Sequence, residues 1–118
     1  MKMKKNNLKK YCFALDLIDE KDKIDSYIEY HKKVWPEIYN SIRDSGVKKL
    51  EIFQIQNRLF MILEASEKFS IDRKAQMDAK NPTVQKWEKL MWKYQKSIPG
   101  LPEGTKWGLM NKIFDLNE

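Results

Sequence analysis

The amino-acid sequence predicts an α+β fold, with one antiparallel sheet and helices, in the order β, α, β, β, α, β. Two observations lead to this order. Stretches in which apolar residues alternate with others lie near the start, middle and end of the chain, and longer stretches with apolar residues every three or four positions lie between them. Because 118 residues suffice for a single core, we expect one domain over residues 10–118, preceded by a basic tail at residues 1–9.

The first strand and the first helical region lie next to each other in the chain. KYCFALDL, residues 10–17, has the two-residue period of a strand, and residues 18–46 carry apolar side chains at helical spacing. Pro36 removes a backbone donor in the middle of this region, so we expect a kink or two helical pieces that meet near Trp35. Gly46 is the residue type that commonly ends a helix.

A hairpin is predicted in the middle of the chain. VKKLEIFQIQ, residues 47–56, and RLFMILEA, residues 58–65, are rich in β-branched and aromatic residues and are joined at Gln56 and Asn57. Both faces of these strands carry apolar side chains. We therefore expect the sheet to be covered on both sides.

The second helical region is also split. SEKFSIDRKAQMDAK, residues 66–80, predicts a helix that begins at a Ser66 cap, and Asn81 followed by Pro82 interrupts it. Proline suits the first position of a helix, so PTVQKWEKLMWKYQKS, residues 82–97, predicts the next helix.

A last strand is predicted in TKWGLMNKIFDL, residues 105–116, which completes the ferredoxin-like order of four strands. One layer of helices covers one face of such a sheet and leaves an apolar second face. We therefore expect a homodimer in which two open sheet faces pack together and close a dimeric α+β barrel.

Charge and composition favour some classes of partner over others. The formal net charge is +6, but the first ten residues hold five of the 23 basic residues, and the other 18 nearly balance 17 acidic ones. We therefore expect no nucleic-acid partner. No apolar run has the length of a membrane span. The single cysteine, Cys12, excludes an internal disulfide and favours a cytoplasmic location.

Few residues of the chain are suited to catalysis. One histidine and one cysteine are too few for the usual His- and Cys-rich metal sites, although a Mg²⁺ site made of carboxylates alone is compatible with the sequence. The four glycines form no phosphate-binding loop. Tyr27, His31 and Trp35 are spaced four residues apart, which places them on one side of an unbroken helix. This ladder fits either an acid/base site or the inner, packed face of a helix.

Two segments resemble the L-rhamnose mutarotase family. In YIEYHKKVWPEI the family features are Tyr27, then His31 four residues later, then the Trp-Pro-Glu at residues 35–37. NPTVQKW resembles a second family segment, matched by Gln85 and Trp87, and RLFMILEA fits the third strand of the family. The resemblance runs from about residue 10 to residue 116.

The resemblance implies a ferredoxin-like dimer that interconverts the α and β anomers of a 6-deoxy-hexose without a cofactor. It implies that His31 is the acid/base residue and that Tyr27 contacts the sugar. Imidazole has a pKa near neutrality, which suits the two proton transfers that open and close a sugar ring.

Further substrate-binding residues are expected around the histidine. Trp35 and Trp87 offer aromatic surfaces for a deoxy-sugar, Glu88 can accept a hydrogen bond from a hydroxyl, and Gln85 is a further candidate. The chain has Glu88 where family members commonly have a second tryptophan, and Leu50 where they have a tyrosine. These differences, with the resemblance, favour L-fucose over L-rhamnose as the sugar.

Two other functions are compatible with the same predicted barrel. One is a non-catalytic module that binds a small molecule in the aromatic pocket. The other is a monooxygenase, either cofactor-free or haem-using, which rests on analogy of fold alone.

Overall fold

The computed structural model describes residues 8–118. The predicted basic tail at residues 1–9 therefore lies outside the described residues except at its last two positions, and the single domain over residues 10–118 stays a prediction. The helices and strands follow in the order β1 (Lys9–Leu17), α1 (Lys21–Tyr30), α2 (Pro36–Asp44), β2 (Val47–Ile55), β3 (Arg58–Ala65), α3 (Ile71–Ala79), α4 (Pro82–Trp92), β4 (Gln95–Lys96) and β5 (Gly108–Leu109).

The strands form one open antiparallel sheet with the order β2, β3, β1, β4, in which β5 also pairs with β1. The long central strand β1 pairs with β3 from Lys9 to Asp16, and its other edge is shared by the two short strands. The predicted α+β, ferredoxin-like arrangement is confirmed. Among residues 8–118 the sheet does not close into a barrel.

The first helical region is divided at the predicted place. Pro36 occupies the first turn of α2, where its missing N–H leaves no bond unmade, and Trp35 before it is extended at φ −58° and ψ 138°. Gly46 follows the end of α2 at φ +106°, a conformation that favours glycine. A Cβ atom there would lie 3.2 Å from the Cβ atom of Phe69, so a larger residue would also have to displace its neighbours by a few tenths of an ångström.

The hairpin between β2 and β3 turns at Gln56, which has φ 52°, and Asn57. Asn57 also holds the end of β1, since its side-chain amide donates to the carbonyl of Leu17 at 3.0 Å and its carbonyl accepts from Leu17 N–H at 2.6 Å. The predicted turn is therefore confirmed and contacts a third strand.

The predicted cap of α3 was wrong by four residues. The hydroxyl of Ser70, not of Ser66, accepts a hydrogen bond from the N–H of Arg73 at 3.0 Å. Ser66 instead donates its N–H to the carbonyl of Gly46 at 2.9 Å, and Phe69 is buried in the core. Burying Phe69 takes the intervening residues out of helical conformation, because the chain must turn inward before α3 begins.

The predicted helix over residues 82–97 ends earlier, at Trp92. Gln95 and Lys96 leave it to pair with Leu17 and Asp16 of β1, because the free edge of the sheet offers backbone partners at that point. The last strand was also predicted too long, since only Gly108–Leu109 pairs within residues 105–116.

The helices cover one face of the sheet. Side chains of β1 and β3 meet helical residues there in a buried cluster of Leu17, Tyr27, Ile38, Leu59, Val84, Trp87 and Met91. Among residues 8–118, no helix has the length and apolar character needed to cross a membrane.

The opposite face of the sheet exposes apolar side chains within the part of the chain that the structure describes. Phe53 and Ile55, which alternate with inward-facing residues of β2, are 52% and 72% exposed. Outside the strands, the C-terminal segment has three further exposed apolar side chains, those of Ile113, Phe114 and Leu116. Large exposed apolar surfaces mark interaction sites in soluble proteins.

Candidate active site

The only histidine lies at the end of α1, and its ring has a defined orientation. Nδ1 of His31 is 2.9 Å from the backbone carbonyl oxygen of Tyr27. A carbonyl oxygen can only accept, so Nδ1 carries the hydrogen and donates it. The neutral imidazole therefore keeps the lone pair on Nε2, which is the nitrogen that can accept a proton from a ligand.

Burial decides the charge of this imidazole. Removal of His31 from water lowers its pKa below the usual 6.5, and the hydrogen bond to the Tyr27 carbonyl opposes that effect only in part. His31 is therefore neutral at pH 7. A neutral imidazole with a free Nε2 acts as a base before it acts as an acid.

Tyr27 provides a protonated phenol beside the imidazole. Its ring centroid is 4.3 Å from that of His31, and burial raises its pKa to about 12. Its hydroxyl oxygen accepts a hydrogen bond from Nε2 of Gln95 at 3.4 Å, which works against the rise in pKa. At neutral pH the Tyr27 hydroxyl keeps its proton and can donate it in a hydrogen bond.

Trp87 forms an aromatic wall next to the histidine. Its ring stands edge-on to His31 at a centroid distance of 5.7 Å and edge-on to Trp35 at 5.0 Å. Tyr30 makes a third edge contact with it at 6.3 Å. These contacts from two neighbouring helices hold the indole of Trp87 in one orientation.

A cavity of about 620 Å³ lies between the helices and the sheet. This volume falls within the roughly 300–1,000 Å³ of small-molecule sites. Its lining is mostly apolar and includes Tyr27, His31, Trp87, Glu88 and Gln95. The cavity therefore combines an aromatic wall, a base and a few hydrogen-bonding groups.

A pair of opposite charges lies in the cavity wall. Nζ of Lys106 is 3.4 Å from the carboxylate of Glu88 and 5.2 Å from the ring centre of Trp92. Lys106 comes from the loop after β4 and Glu88 from α4, so the pair links the loop to the helix. Both groups can exchange part of this contact for hydrogen bonds to a ligand.

Two of the residues expected to bind substrate do not line this cavity. Trp35 lines a shallower cavity with Tyr30 and packs behind Trp87. The side-chain amide of Gln85 donates to the backbone carbonyl of Asp78 at 2.8 Å and so joins α4 to α3.

Gln95, Lys106 and Trp107 are among the cavity residues that were not foreseen. Gln95 was assigned to a helix, and the other two were assigned to a strand without a role. Nothing in the local pattern distinguishes them, since their place depends on the pairing of β4 and β5 with β1. Within residues 8–118, no group of three or more His, Cys, Asp or Glu side chains is placed to hold a metal ion.

Comparison of the sequence with known proteins agrees with the resemblance. The family model described as L-rhamnose mutarotase matches residues 10–116 of this chain. A protein of Xanthomonas campestris pv. campestris named L-fucose mutarotase is 39% identical over 114 residues, which cover 95% of this chain and 91% of that protein.

Solved structures show the same fold. The L-rhamnose mutarotase of Formosa agariphila superposes with a TM-score of 0.68 at 22% identity, over 92% of this chain and 98% of its own. A dimeric ferredoxin-like protein from an uncultured marine organism superposes with a TM-score of 0.55 at 15% identity, over 90% of each chain.

Proposed function

This chain belongs to the L-rhamnose mutarotase family, and from that premise we propose that it interconverts the α and β anomers of a 6-deoxy-hexose without a cofactor. The resemblance drawn from the sequence is confirmed, and so is the class of enzyme, a carbohydrate isomerase. The proposal includes the cytoplasmic location that the single cysteine predicts.

The observation that carries the proposed chemistry is the orientation of His31. Its Nδ1 is engaged by the carbonyl of Tyr27, and its Nε2 stays free in a residue that lines the cavity. Its pKa is lowered by burial, so the basic form is available at neutral pH. A base of this kind is what the first proton transfer of mutarotation requires.

The proposed reaction moves one proton between two sugar oxygens. Nε2 of His31 takes the proton of the anomeric hydroxyl, the bond between C1 and the ring oxygen breaks, and C1 becomes an aldehyde. The imidazolium then gives the proton to the former ring oxygen. Rotation about the bond between C1 and C2 followed by the reverse steps yields the other anomer. Each positioned acid or base contributes about 10²- to 10⁴-fold.

The proposed substrate contacts follow the composition of the cavity. Trp87 faces the apolar side of the sugar and its 6-methyl group, Tyr27 donates to a sugar oxygen, and Glu88 accepts from a hydroxyl. Trp35 and Gln85 support the site from outside the cavity. L-Fucose is the favoured sugar, in line with the name of the Xanthomonas relative.

The activity is tested by magnetisation-exchange NMR of L-fucose and L-rhamnose, which measures the rate of anomer exchange directly. We expect the protein to accelerate exchange and the substitution His31→Gln to abolish the effect. Lys32→Gln is the matched control, since Lys32 is exposed on the next residue of the same turn and should leave the rate unchanged.

The proposal is wrong if neither sugar nor any other common aldose exchanges faster in the presence of the protein. If calorimetry then detects sugar binding without faster exchange, the alternative of a non-catalytic binding module is favoured instead.

We propose further that two copies pair through the open sheet face. The uncovered apolar side chains of Phe53 and Ile55 support this, as do those of the C-terminal segment at residues 113, 114 and 116. A dimeric ferredoxin-like protein with the same fold offers a precedent. Two such faces packed together remove this apolar surface from water and close a dimeric barrel.

A further inference from the structure

The carboxamide of Gln95 is buried beside the hydroxyl of Tyr27, and within the described residues only one of its two ends is bonded. The residue is 7% exposed and lines the cavity. Its Nε2 donates to the hydroxyl oxygen of Tyr27 at 3.4 Å, whereas its Oε1 is shielded from solvent and has no hydrogen-bond partner within residues 8–118.

Packing does not account for a glutamine at this place. A buried amide oxygen without a partner costs folding free energy, while an apolar side chain of similar length, such as methionine, carries no such cost. The cavity that Gln95 lines is mostly apolar, and its wall includes Met91 and Trp87 from α4. A polar group kept half-bonded at a cavity wall points to a role in the site.

The position of Gln95 is determined by the sheet. Its backbone pairs with Leu17 of β1 in the antiparallel ladder, although β4 has only two residues. The carboxamide therefore approaches Tyr27 from the sheet, while Tyr27 itself stands on α1. Two separate elements thus define the environment of the Tyr27 hydroxyl.

We propose that Gln95 is a positioning residue that makes Tyr27 a hydrogen-bond donor to the bound sugar. A phenol oxygen carries one hydrogen to donate and accepts on its lone pairs. When Nε2 of Gln95 donates to that oxygen, the nitrogen cannot also accept the phenol hydrogen. The hydrogen is then left for a sugar oxygen in the cavity.

This inference rests on the proposed mutarotase function and explains why the hydroxyl of Tyr27 donates to the sugar. Negative charge develops on the ring oxygen when its bond to C1 breaks. A preorganised donor aimed at such an oxygen stabilises the transition state more than the ground state. Loss of the positioning contact should therefore lower kcat more than it raises KM.

The first test removes the contact without removing the side-chain volume. We expect Gln95→Met to lower the rate of anomer exchange by about tenfold, the effect of one lost hydrogen bond, and to leave the melting temperature equal or higher. Gln76→Met is the matched control, because Gln76 is exposed on α3, and it should change neither quantity.

A double-mutant cycle separates positioning from packing. If Gln95 acts through the Tyr27 hydroxyl, Gln95→Met in a Tyr27→Phe background should change the rate by less than about twofold. Equal losses in both backgrounds, or a lower melting temperature for Gln95→Met alone, would overturn the proposal in favour of a packing role.

Replacing the hydrogen-bond donor of Gln95 by an acceptor gives a further test. A carboxylate at this place can only accept, so Gln95→Glu should draw the Tyr27 hydrogen away from the sugar and lower the rate more than Gln95→Met does. A protonated carboxyl can donate, so the rate of this variant relative to the parent protein should recover as the pH falls. A ratio independent of pH contradicts the proposal.

Failure of the proposed function can be told apart from failure of this inference. If the parent protein accelerates no sugar, the function is wrong. The contact is then tested by the ¹⁵N–¹H signals of the Gln95 side-chain amide, which should shift in Tyr27→Phe. Unchanged signals would refute the contact, and shifted signals would support it whatever the substrate.

Discussion

The imidazole of His31 is held by the backbone of Tyr27, one helical turn earlier, with Nδ1 at 2.9 Å from the carbonyl oxygen. The same carbonyl accepts from the backbone N–H of His31 at 3.3 Å. The Tyr27 carbonyl thus keeps its regular helical partner and accepts a second hydrogen, from the ring, on its other lone pair. This second bond selects the tautomer with a free Nε2.

The pH dependence of the exchange rate follows from the charge of His31. Burial lowers its pKa, so we expect the rate to rise with pH through an inflection below 6.5 and to be level at pH 7. The free energy of unfolding should also fall as the pH drops from 6.5 through this lowered pKa, because the fold disfavours the charged ring. NMR exchange rates in a series of buffers check this. An inflection of the exchange rate above pH 7 would contradict the role given to His31. The control variant Lys32→Gln should keep the pH profile of the parent protein.

Tyr27 should determine part of the stability at alkaline pH. Its pKa is raised from 10.0 to about 12 in the folded chain, so its contribution is complete below pH 10 and is lost as the pH rises toward 12. We expect the free energy of unfolding in urea to fall less steeply over this range in Tyr27→Phe than in the parent. The difference should be at most about 3 kcal/mol.

Tyr39→Phe is the matched control for that measurement, since Tyr39 is exposed on α2. Its free energy of unfolding should follow that of the parent protein at every pH. The same slope in Tyr27→Phe and in Tyr39→Phe would mean that the Tyr27 hydroxyl is not held in the protonated form by the fold.

Trp35 should act on the site through Trp87. The two indoles meet edge to face at 5.0 Å, and Trp35 does not line the larger cavity. We expect Trp35→Leu to leave space behind Trp87, to lower stability by about 2–4 kcal/mol and to raise KM for the sugar. Trp35→Phe keeps an aromatic edge, so its loss of stability and its rise in KM should both be smaller. A variant Trp35→Leu with unchanged KM would contradict this support role.

Charge on the open sheet face should separate the proposed dimer. Ile55 is 72% exposed in the single chain, so a lysine there leaves a charge in the interface between two copies. We expect Ile55→Lys to be monomeric in sedimentation velocity at micromolar concentration, where the parent is a dimer. Gln76→Lys, on the surface of α3, should stay dimeric. A monomeric parent protein would refute the dimer itself.

Local sequence was sufficient for most of the elements and for the central residues of the site. Apolar spacing and proline chemistry predicted where α1 and α2 separate, and the hairpin turn was predicted at Gln56 and Asn57. Tyr27 and His31 lie one turn apart on one helix, so their proximity depends only on residues close in the chain. The family resemblance rested on these same local motifs.

The tertiary structure alone decided the rest of the cavity. Gln95 leaves α4 because the edge of β1 offers backbone partners, and Lys106 reaches Glu88 only because the loop after β4 returns across α4. Trp35, at the start of α2, lies against Trp87 because α2 packs on α4. Pairing of strand edges and packing of helices join residues far apart in sequence, whereas helical periodicity relates only close neighbours. The histidine could therefore be found from the sequence, and the glutamine that contacts Tyr27 could not.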